Sequence, residues 1–83
     1  MPVVAIIDGI KIWFYNDDHP PPHFHAEYAE HEALIDLDTL KIIVGFLPRA
    51  QYQKVVAWAE TRKPALRIAW ITAQSDINPG KIP

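Results

Sequence analysis

Alternating apolar residues near the start of the chain predict a β-hairpin. Two apolar runs, residues 3–7 and 10–15, flank the pair Asp8-Gly9. An Asp-Gly pair between such runs favours a type I′ turn, because both central residues of that turn need positive φ. A two-residue turn also sets the register of the two strands. The predicted pairs are Ile7 with Ile10, Ala5 with Ile12, and Val3 with Phe14.

The two faces of this hairpin differ in their predicted surroundings. The six paired side chains are all apolar and share one face, which we expect to be the core face. The opposite face is too apolar for bulk solvent, so we expect it to contact another element or a partner. Its residues are Val4, Ile6, Lys11, Trp13 and Tyr15.

Period-2 alternation predicts three further strands. Residues 23–28 place Phe24, Ala26 and Tyr28 on the core side, with the other three side chains opposite. A strand over residues 32–37 and one over 40–44, joined by a turn at 38–39, complete a five-stranded antiparallel meander. It consists of two hairpins plus one strand, and the pattern leaves the order of its two halves open. Matching the apolar faces predicts these pairs: Glu27 with Glu32, His25 with Leu34, His23 with Asp36, Leu37 with Leu40, Ile35 with Ile42, and Asp36 with Lys41.

Helical periodicity follows the predicted sheet, which Gly45 ends. Pro48 suits the first position of a helix, and Pro64 restarts a second one. The predicted core-facing residues are Tyr52, Val55, Val56 and Ala59 in the first helix, then Leu66, Ala69, Trp70 and Ala73 in the second, with Ile68 and Ile71 widening the stripe. Two helices packed on one sheet face give an α+β fold. We expect one domain over residues 1–76, with residues 77–83 as a frayed C-terminal tail.

Composition narrows the class of protein. The chain has 83 residues and no cysteine, which excludes disulfides and a thiolate zinc site. With 49% hydrophobic residues on so small a domain, we expect a partner to cover part of the apolar surface. The longest apolar run, residues 3–7, falls far short of the ~20 residues of a membrane span. No basic segment precedes an apolar stretch as in a signal peptide, so we expect a cytoplasmic protein with no membrane association.

Charge is distributed unevenly along the chain. Residues 1–45 hold eight acidic and two basic side chains, whereas residues 46–83 hold two acidic and six basic ones. One interpretation is two ordinary solvated faces. The other is a dipolar molecule whose basic half docks on a charged partner or on nucleic acid. The cations that would contact nucleic acid are Arg49, Lys54, Arg62, Lys63 and Arg67.

The segment 19–25 concentrates three of the four histidines among three prolines. His23, His25 and Glu27 share one strand face at ~6–7 Å intervals, so they form a candidate site for a divalent metal. The predicted like-charge pair of Glu27 and Glu32 would be relieved by a cation. The alternative is that these imidazoles only stack and accept or donate hydrogen bonds to the backbone.

Two functions are compatible with this segment. The first is an interaction module that binds a small partner protein, or a second copy of the chain, because a proline-stiffened aromatic surface loses little entropy on docking. Its predicted contact residues are Trp13, Tyr15, His19, Pro21, Pro22, His23, Phe24, His25 and Tyr28. The alternative is a metal- or histidine-dependent ribonuclease-type enzyme that uses the H-x-H-x-E strand face ending at Glu27. Its acid–base groups would be His19, His23 and His25, with Lys41 or Arg49 steadying the phosphate.

The same residues carry a family resemblance. Residues 18–26 read D-H-P-P-P-H-F-H-A and are followed by Glu27-Tyr28. This is similar to the D-H-x-P-P-H-F-H-A signature of a family of small bacterial proteins of unknown function. Glu32-Ala33 and Gly45-x-Leu47-Pro48 before a Trp-containing helix agree as well. The resemblance implies a stand-alone domain, often encoded beside a second small protein in a toxin–antitoxin-like or regulatory pair, and it carries over no activity.

Overall fold

The computed structural model describes residues 3–16 and 18–83 and folds them into one sheet and two helices. The strands follow one another in the sheet in chain order, and every neighbouring pair is antiparallel. The predicted α+β meander is therefore confirmed, and the order left open by the sequence is the consecutive one. The elements are β1 Val3–Ile7, β2 Ile10–Trp13, β3 His23–Tyr28, β4 His31–Asp36, β5 Ile42–Gly45, α1 Arg49–Glu60 and α2 Lys63–Gln74.

The first hairpin has the predicted turn but not the whole predicted register. Asp8 and Gly9 both have positive φ, and Ile7 pairs with Ile10 and Ala5 with Ile12 as expected. The pair of Val3 with Phe14 was wrong, because a bulge before Ala5 pairs Val3 with Trp13 instead. A bulge adds one residue to one strand and locally breaks the alternation of faces. Val4, predicted on the outer face, consequently packs in the core with no exposed surface.

The central hairpin of β3 and β4 has the predicted register throughout. His23 lies opposite Asp36, His25 opposite Leu34, and Glu27 opposite Glu32. Apolar residues of the other face, including Phe24 and Ala26 of β3, are fully buried in the core. This register therefore places both strand imidazoles on the sheet face opposite the core.

The last hairpin is shorter than predicted and contains a second bulge. Ile35 pairs with Ile42 as expected, but Leu34 then pairs with Val44, which leaves Ile43 as the extra residue. Leu40 has positive φ and donates its N–H to the carbonyl of Asp36 within the turn, so the predicted ladder pair of Leu37 and Leu40 was wrong. Gly45 is the last residue of β5, as predicted.

The helices bury the predicted stripes over one face of the sheet. The core contains Val55 and Ala59 of α1 and Leu66, Ala69, Trp70 and Ala73 of α2, together with the apolar strand residues. Pro48 is the cap before α1 rather than its first residue, and Pro64 is the second residue of α2. Ile68 and Ile71 were expected to widen the buried stripe. They are instead 66% and 62% exposed, because the sheet covers only the narrower stripe of α2.

Part of the predicted frayed tail, residues 77–83, packs against the sheet. The Ile82 N–H donates to the Val4 carbonyl at 2.8 Å, and the Ile82 side chain joins the core. Arg62 Nε also donates to the Pro83 carbonyl at 2.6 Å. The position of β1 at the sheet edge explains this contact, because an edge strand has backbone groups without a strand partner. Among the described residues, no helix is long and apolar enough to cross a bilayer.

Candidate functional site

The imidazoles of His23 and His25 lie together on the sheet face opposite the core, but they are not exposed. Only 5% and 4% of their surfaces reach solvent. The two imidazoles therefore lie on the strand face predicted for them, but they are buried there. Trp13 stacks on the His25 ring with 5.3 Å between ring centroids. His23 is the first residue of β3, and at this end of the strand its ring lies 5.1 Å from that of Trp70, a core residue of α2. Aromatic side chains therefore shield the two imidazoles from water.

Asp18 completes a three-residue cluster with these imidazoles. We call residues 18–22 the proline arm, since three of its five members are proline. The arm places the Asp18 carboxylate over β3, with Oδ2 3.0 Å from His25 Nε2 and 3.2 Å from His23 Nε2. Each of the three residues offers a ligand atom, and these atoms lie within 4.8 Å of one another. Two imidazole nitrogens and a carboxylate oxygen thus converge on one point.

The outer nitrogens of both rings face oxygen atoms. His23 Nδ1 lies 2.8 Å from the Pro21 carbonyl, and His25 Nδ1 lies 3.6 Å from Glu32 Oε2. A carbonyl oxygen only accepts hydrogen bonds, so His23 Nδ1 must carry a hydrogen. In a neutral His23 ring, Nε2 then presents a lone pair towards the Asp18 carboxylate. Such a contact between two electron-rich atoms needs a proton or another cation between them.

Glu27, the third predicted ligand, lies outside this cluster. Its carboxylate pairs with Lys11 at 3.7 Å, and its side chain is half-buried. The predicted like-charge pair of Glu27 and Glu32 exists, but Lys11 on the neighbouring strand relieves it. Asp18 was missed as a site residue. The only signal for it in the sequence was its place as the first residue of the D-H-x-P-P-H-F-H-A pattern.

A groove lies between the proline arm and the last hairpin. It has a volume of about 270 Å³, and its walls include His19, Pro20, Pro21, Leu34 and Ile43. Asp18 and His23 also line it. Of the predicted acid–base residues, His19 is therefore exposed on this groove, whereas the other two are buried in the cluster.

The predicted contact surface divides into exposed and buried members. Tyr15, His19 and Pro21 are exposed, and the Tyr15 ring meets the His25 ring edge-on at 4.6 Å. Phe24 and Trp13 are buried. The remaining two outside the imidazole cluster, Pro22 and Tyr28, are half-buried.

An exposed apolar strip continues from the groove along β5. Ile43 and Val44 of β5 are 45% and 57% exposed, and Phe46, which directly follows the strand, is 58% exposed and meets the His31 ring edge-on at 5.3 Å. The sequence pattern did not identify these residues as a surface, because it predicted a regular strand here without the bulge at Ile43.

Most cations proposed to contact nucleic acid are engaged within the chain. Lys54 pairs with Asp8 at 3.3 Å, and Lys63 Nζ donates to the Asp38 carbonyl at 2.6 Å. The other two engaged cations are Arg67, which pairs with the Asp38 carboxylate, and Arg62, which donates to backbone carbonyls. Four of the five cations therefore have an oxygen partner within the chain, and contact of this set with nucleic acid stays a prediction.

Comparison with known proteins places the whole site within one family. The family model described as "Domain of unknown function (DUF4160)" matches residues 9–71, which include the cluster, the groove and β5. No curated protein and no solved structure shows a significant match. Because the matched region spans well over half of the chain, the protein belongs to the family of domains of unknown function DUF4160.

Proposed function

We propose that this protein is a small interaction module that binds an extended segment of a partner protein along β5 and the adjoining groove. The observation that carries the proposal is an exposed apolar strip made by Ile43 and Val44 of the edge strand β5 and by Phe46, which directly follows it. The proline arm contributes one wall of the groove, so the surface includes two exposed members of the contact set predicted from the sequence, His19 and Pro21.

The position of β5 in the sheet favours an extended ligand. In the described part of the chain, β5 has a strand neighbour on one side only. Such a strand offers unpaired N–H and C=O groups, and natural proteins usually protect it with charges, prolines or a covering element. Here the exposed residues are aliphatic and aromatic instead. A partner segment added as a sixth strand would satisfy the backbone groups and cover these side chains.

The groove supplies a place for side chains of that segment. Its walls combine aliphatic Leu34 and Ile43 with the rings of Pro20 and Pro21. Proline has little conformational freedom to lose, so this wall is already ordered before the partner arrives. Alternate side chains of an added strand point to one face of the sheet, which is how such complexes obtain specificity.

Charge indicates the composition of the partner segment. Glu30 and Glu32 lie beside the strip and are exposed, with 82% and 46% of their side-chain surfaces accessible. The first 45 residues, which form most of the sheet, carry six more acidic than basic side chains. An apolar segment flanked by Lys or Arg is therefore the complementary partner.

The cellular role extends this proposal. The resemblance of the D-H-x-P-P-H-F-H-A segment favours one half of a bacterial toxin–antitoxin-like or regulatory pair acting in the cytoplasm. The partner would then be the small protein encoded beside this chain. The ribonuclease alternative gains no specific support, because a substrate cannot reach imidazoles that are 4–5% exposed without displacing Trp13 or the proline arm.

The test measures binding of the small protein encoded beside this chain in its host genome. We expect the purified pair to form a complex, and Val44→Lys to weaken it at least about tenfold, because a charge would enter an apolar contact. Ile68→Lys is the matched control, since Ile68 is as exposed as Val44 but lies on α2. It should leave the affinity unchanged.

A second measurement does not depend on any variant. Amide chemical shifts of the labelled chain should change along β5 and the proline arm when the partner is added. Shift changes confined to α1 and α2, or equal weakening by both lysine variants, would refute this docking surface. No complex at about 0.1 mM of each protein would refute the proposed partner, since even weak specific pairs associate at that concentration.

A further inference from the structure

We propose that Asp18, His23 and His25 bind one divalent transition-metal ion, which holds the proline arm on β3. Asp18 and His23 also line the groove proposed for the partner, but the three ligand atoms come together without any partner, so the metal site is tested on the chain alone. It also differs from the candidate set of the sequence, because Asp18 takes the place of Glu27.

The hydrogen atoms of the two rings provide the first argument. His23 Nδ1 donates to the Pro21 carbonyl, which leaves Nε2 buried and without a hydrogen-bond partner among the described residues. That nitrogen nevertheless lies 3.2 Å from a carboxylate oxygen. A metal ion between them would be bound by the Nε2 lone pair and the carboxylate, and the repulsive contact would become two coordinate bonds.

The same ion would also satisfy His25. If Nε2 of this ring binds the ion, its hydrogen is on Nδ1 and points towards Glu32 Oε2, 3.6 Å away. Without the ion, Nε2 donates to Asp18 and the buried Nδ1 has no hydrogen-bond partner among the described residues. A metal-binding histidine usually donates its other N–H to a carbonyl or a carboxylate. The Pro21 carbonyl already accepts from His23, and the Glu32 carboxylate, 3.6 Å from His25 Nδ1, needs only a small side-chain movement to accept from His25.

The separations of the ligand atoms fit a small ion. With bonds of ~2.0–2.1 Å, tetrahedral coordination places ligand atoms ~3.3 Å apart and octahedral coordination ~2.9 Å apart. The Asp18 oxygen lies 3.0 Å from one imidazole nitrogen and 3.2 Å from the other. The ligand atoms of the two imidazoles lie within 4.8 Å of each other, so small rotations of the rings would complete the geometry.

The donor set and the surroundings indicate the class of metal. Two imidazoles and one carboxylate favour Zn²⁺, Co²⁺, Ni²⁺ or Fe²⁺, whereas Mg²⁺ and Ca²⁺ prefer oxygen ligands. Burial weakens the competition from water for the ion. Asp18 and His23 line the groove beside the proline arm, which gives an ion a path to the cluster. Three protein ligands leave at least one coordination position for water.

Thermal unfolding of the untagged, chelator-treated full chain tests the site. ZnCl₂ at about 100-fold excess over its dissociation constant should raise the Tm by on the order of 10 °C, because only the folded chain assembles the three ligands. MgCl₂ at the same concentration should have no effect. Calorimetric titration should give one zinc ion per chain.

Spectroscopy gives a readout specific to these residues. Co²⁺ bound to the cluster should show visible ligand-field absorption and should quench tryptophan fluorescence, because Trp13 and Trp70 contact the two imidazoles. Zn²⁺, which has a filled d shell, should displace the cobalt and restore the fluorescence.

Conservative variants separate the site from adventitious binding. Asp18→Asn and His25→Gln should each lower zinc affinity at least about tenfold, the usual scale for a lost ligand or its support. His31→Gln is the control, since His31 lies outside the cluster beside Phe46, and it should bind zinc as the native chain does. Asp18 lies in the proline arm with 22% of its side chain exposed, so Asp18→Asn is expected to fold.

Three results would overturn the inference. The first is the absence of any Tm shift with Zn²⁺, Co²⁺ or Ni²⁺ at about 1 mM, because a structural metal site has a dissociation constant far below that concentration. The second is unchanged zinc affinity in Asp18→Asn, and the third is loss of zinc affinity in His31→Gln. The first result would mean that a proton alone lies between His23 and Asp18. Each of them leaves the test of the β5 surface unaffected.

Discussion

Gly45→Ala tests whether close packing at the end of β5 holds the edge strand in place. Gly45 has φ +89, a conformation that costs an L-residue ~1–2 kcal/mol. A Cβ atom there would lie 2.1 Å from the backbone oxygen of Glu32, so β4 and β5 must separate by about 1.3 Å to reach ordinary contact at 3.4 Å. That shift would break the hydrogen bond from the Phe46 N–H to the same oxygen, worth ~1 kcal/mol.

Together these effects predict a loss of about 3 kcal/mol in the free energy of unfolding, once strain from overpacking is included. For a domain of this size the Tm should fall by about 15 °C. Urea denaturation and thermal unfolding of the purified variant give both quantities.

Gly9→Ala is the matched control for the steric part of this loss. Gly9 has a similar φ of +81, but the nearest atom to an added Cβ, a ring carbon of Tyr28, is 4.0 Å away. It should therefore lose only the conformational part, ~1–2 kcal/mol. If Gly45→Ala is destabilised by no more than about 0.5 kcal/mol beyond Gly9→Ala, the contact with Glu32 does not hold β5, and this reasoning is refuted.

Three further substitutions test other contacts of the fold, each by urea denaturation. Tyr52→Phe should cost ~1 kcal/mol, because its hydroxyl donates to the Leu40 carbonyl at 2.6 Å. Asp36→Ala should cost ~1–2 kcal/mol, because one carboxylate oxygen accepts two backbone N–H groups of the following turn; a neutral result would contradict that role. Ile82→Ala should cost ~2–4 kcal/mol by emptying a core position, and faster amide exchange at Val4 would accompany it; a fully stable variant would show that the tail does not dock.

Regular strand pairing was the part of the fold that the sequence predicted best. The register of β3 with β4 follows from matching two alternating apolar faces, and it places Phe24 opposite Ile35 in the core. The bulges at Val4 and Ile43 could not be predicted, because each is an ordinary aliphatic residue within an apolar run. Nothing in the chemistry of Val4 or Ile43 distinguishes either one from its neighbours as the extra residue of a bulge.

The candidate site was predictable only in part for a similar reason. Strand alternation places His23 and His25 on one face, and the structure agrees. Whether those rings are exposed depends on Trp13 and Trp70, which approach from other elements. Asp18 lies over β3 because of the path that the proline arm takes. The spacing of apolar residues along the chain does not predict that path.

The consecutive strand order has a consequence for how the chain folds. Each strand pairs with the one before it, through connections that are short except for the proline arm, so most sheet contacts join residues close in the chain. Proteins with such low contact order fold faster than those whose sheets join distant segments. We therefore expect rapid assembly hairpin by hairpin, with little time for the apolar edge of β5 to meet another unfolded copy and aggregate.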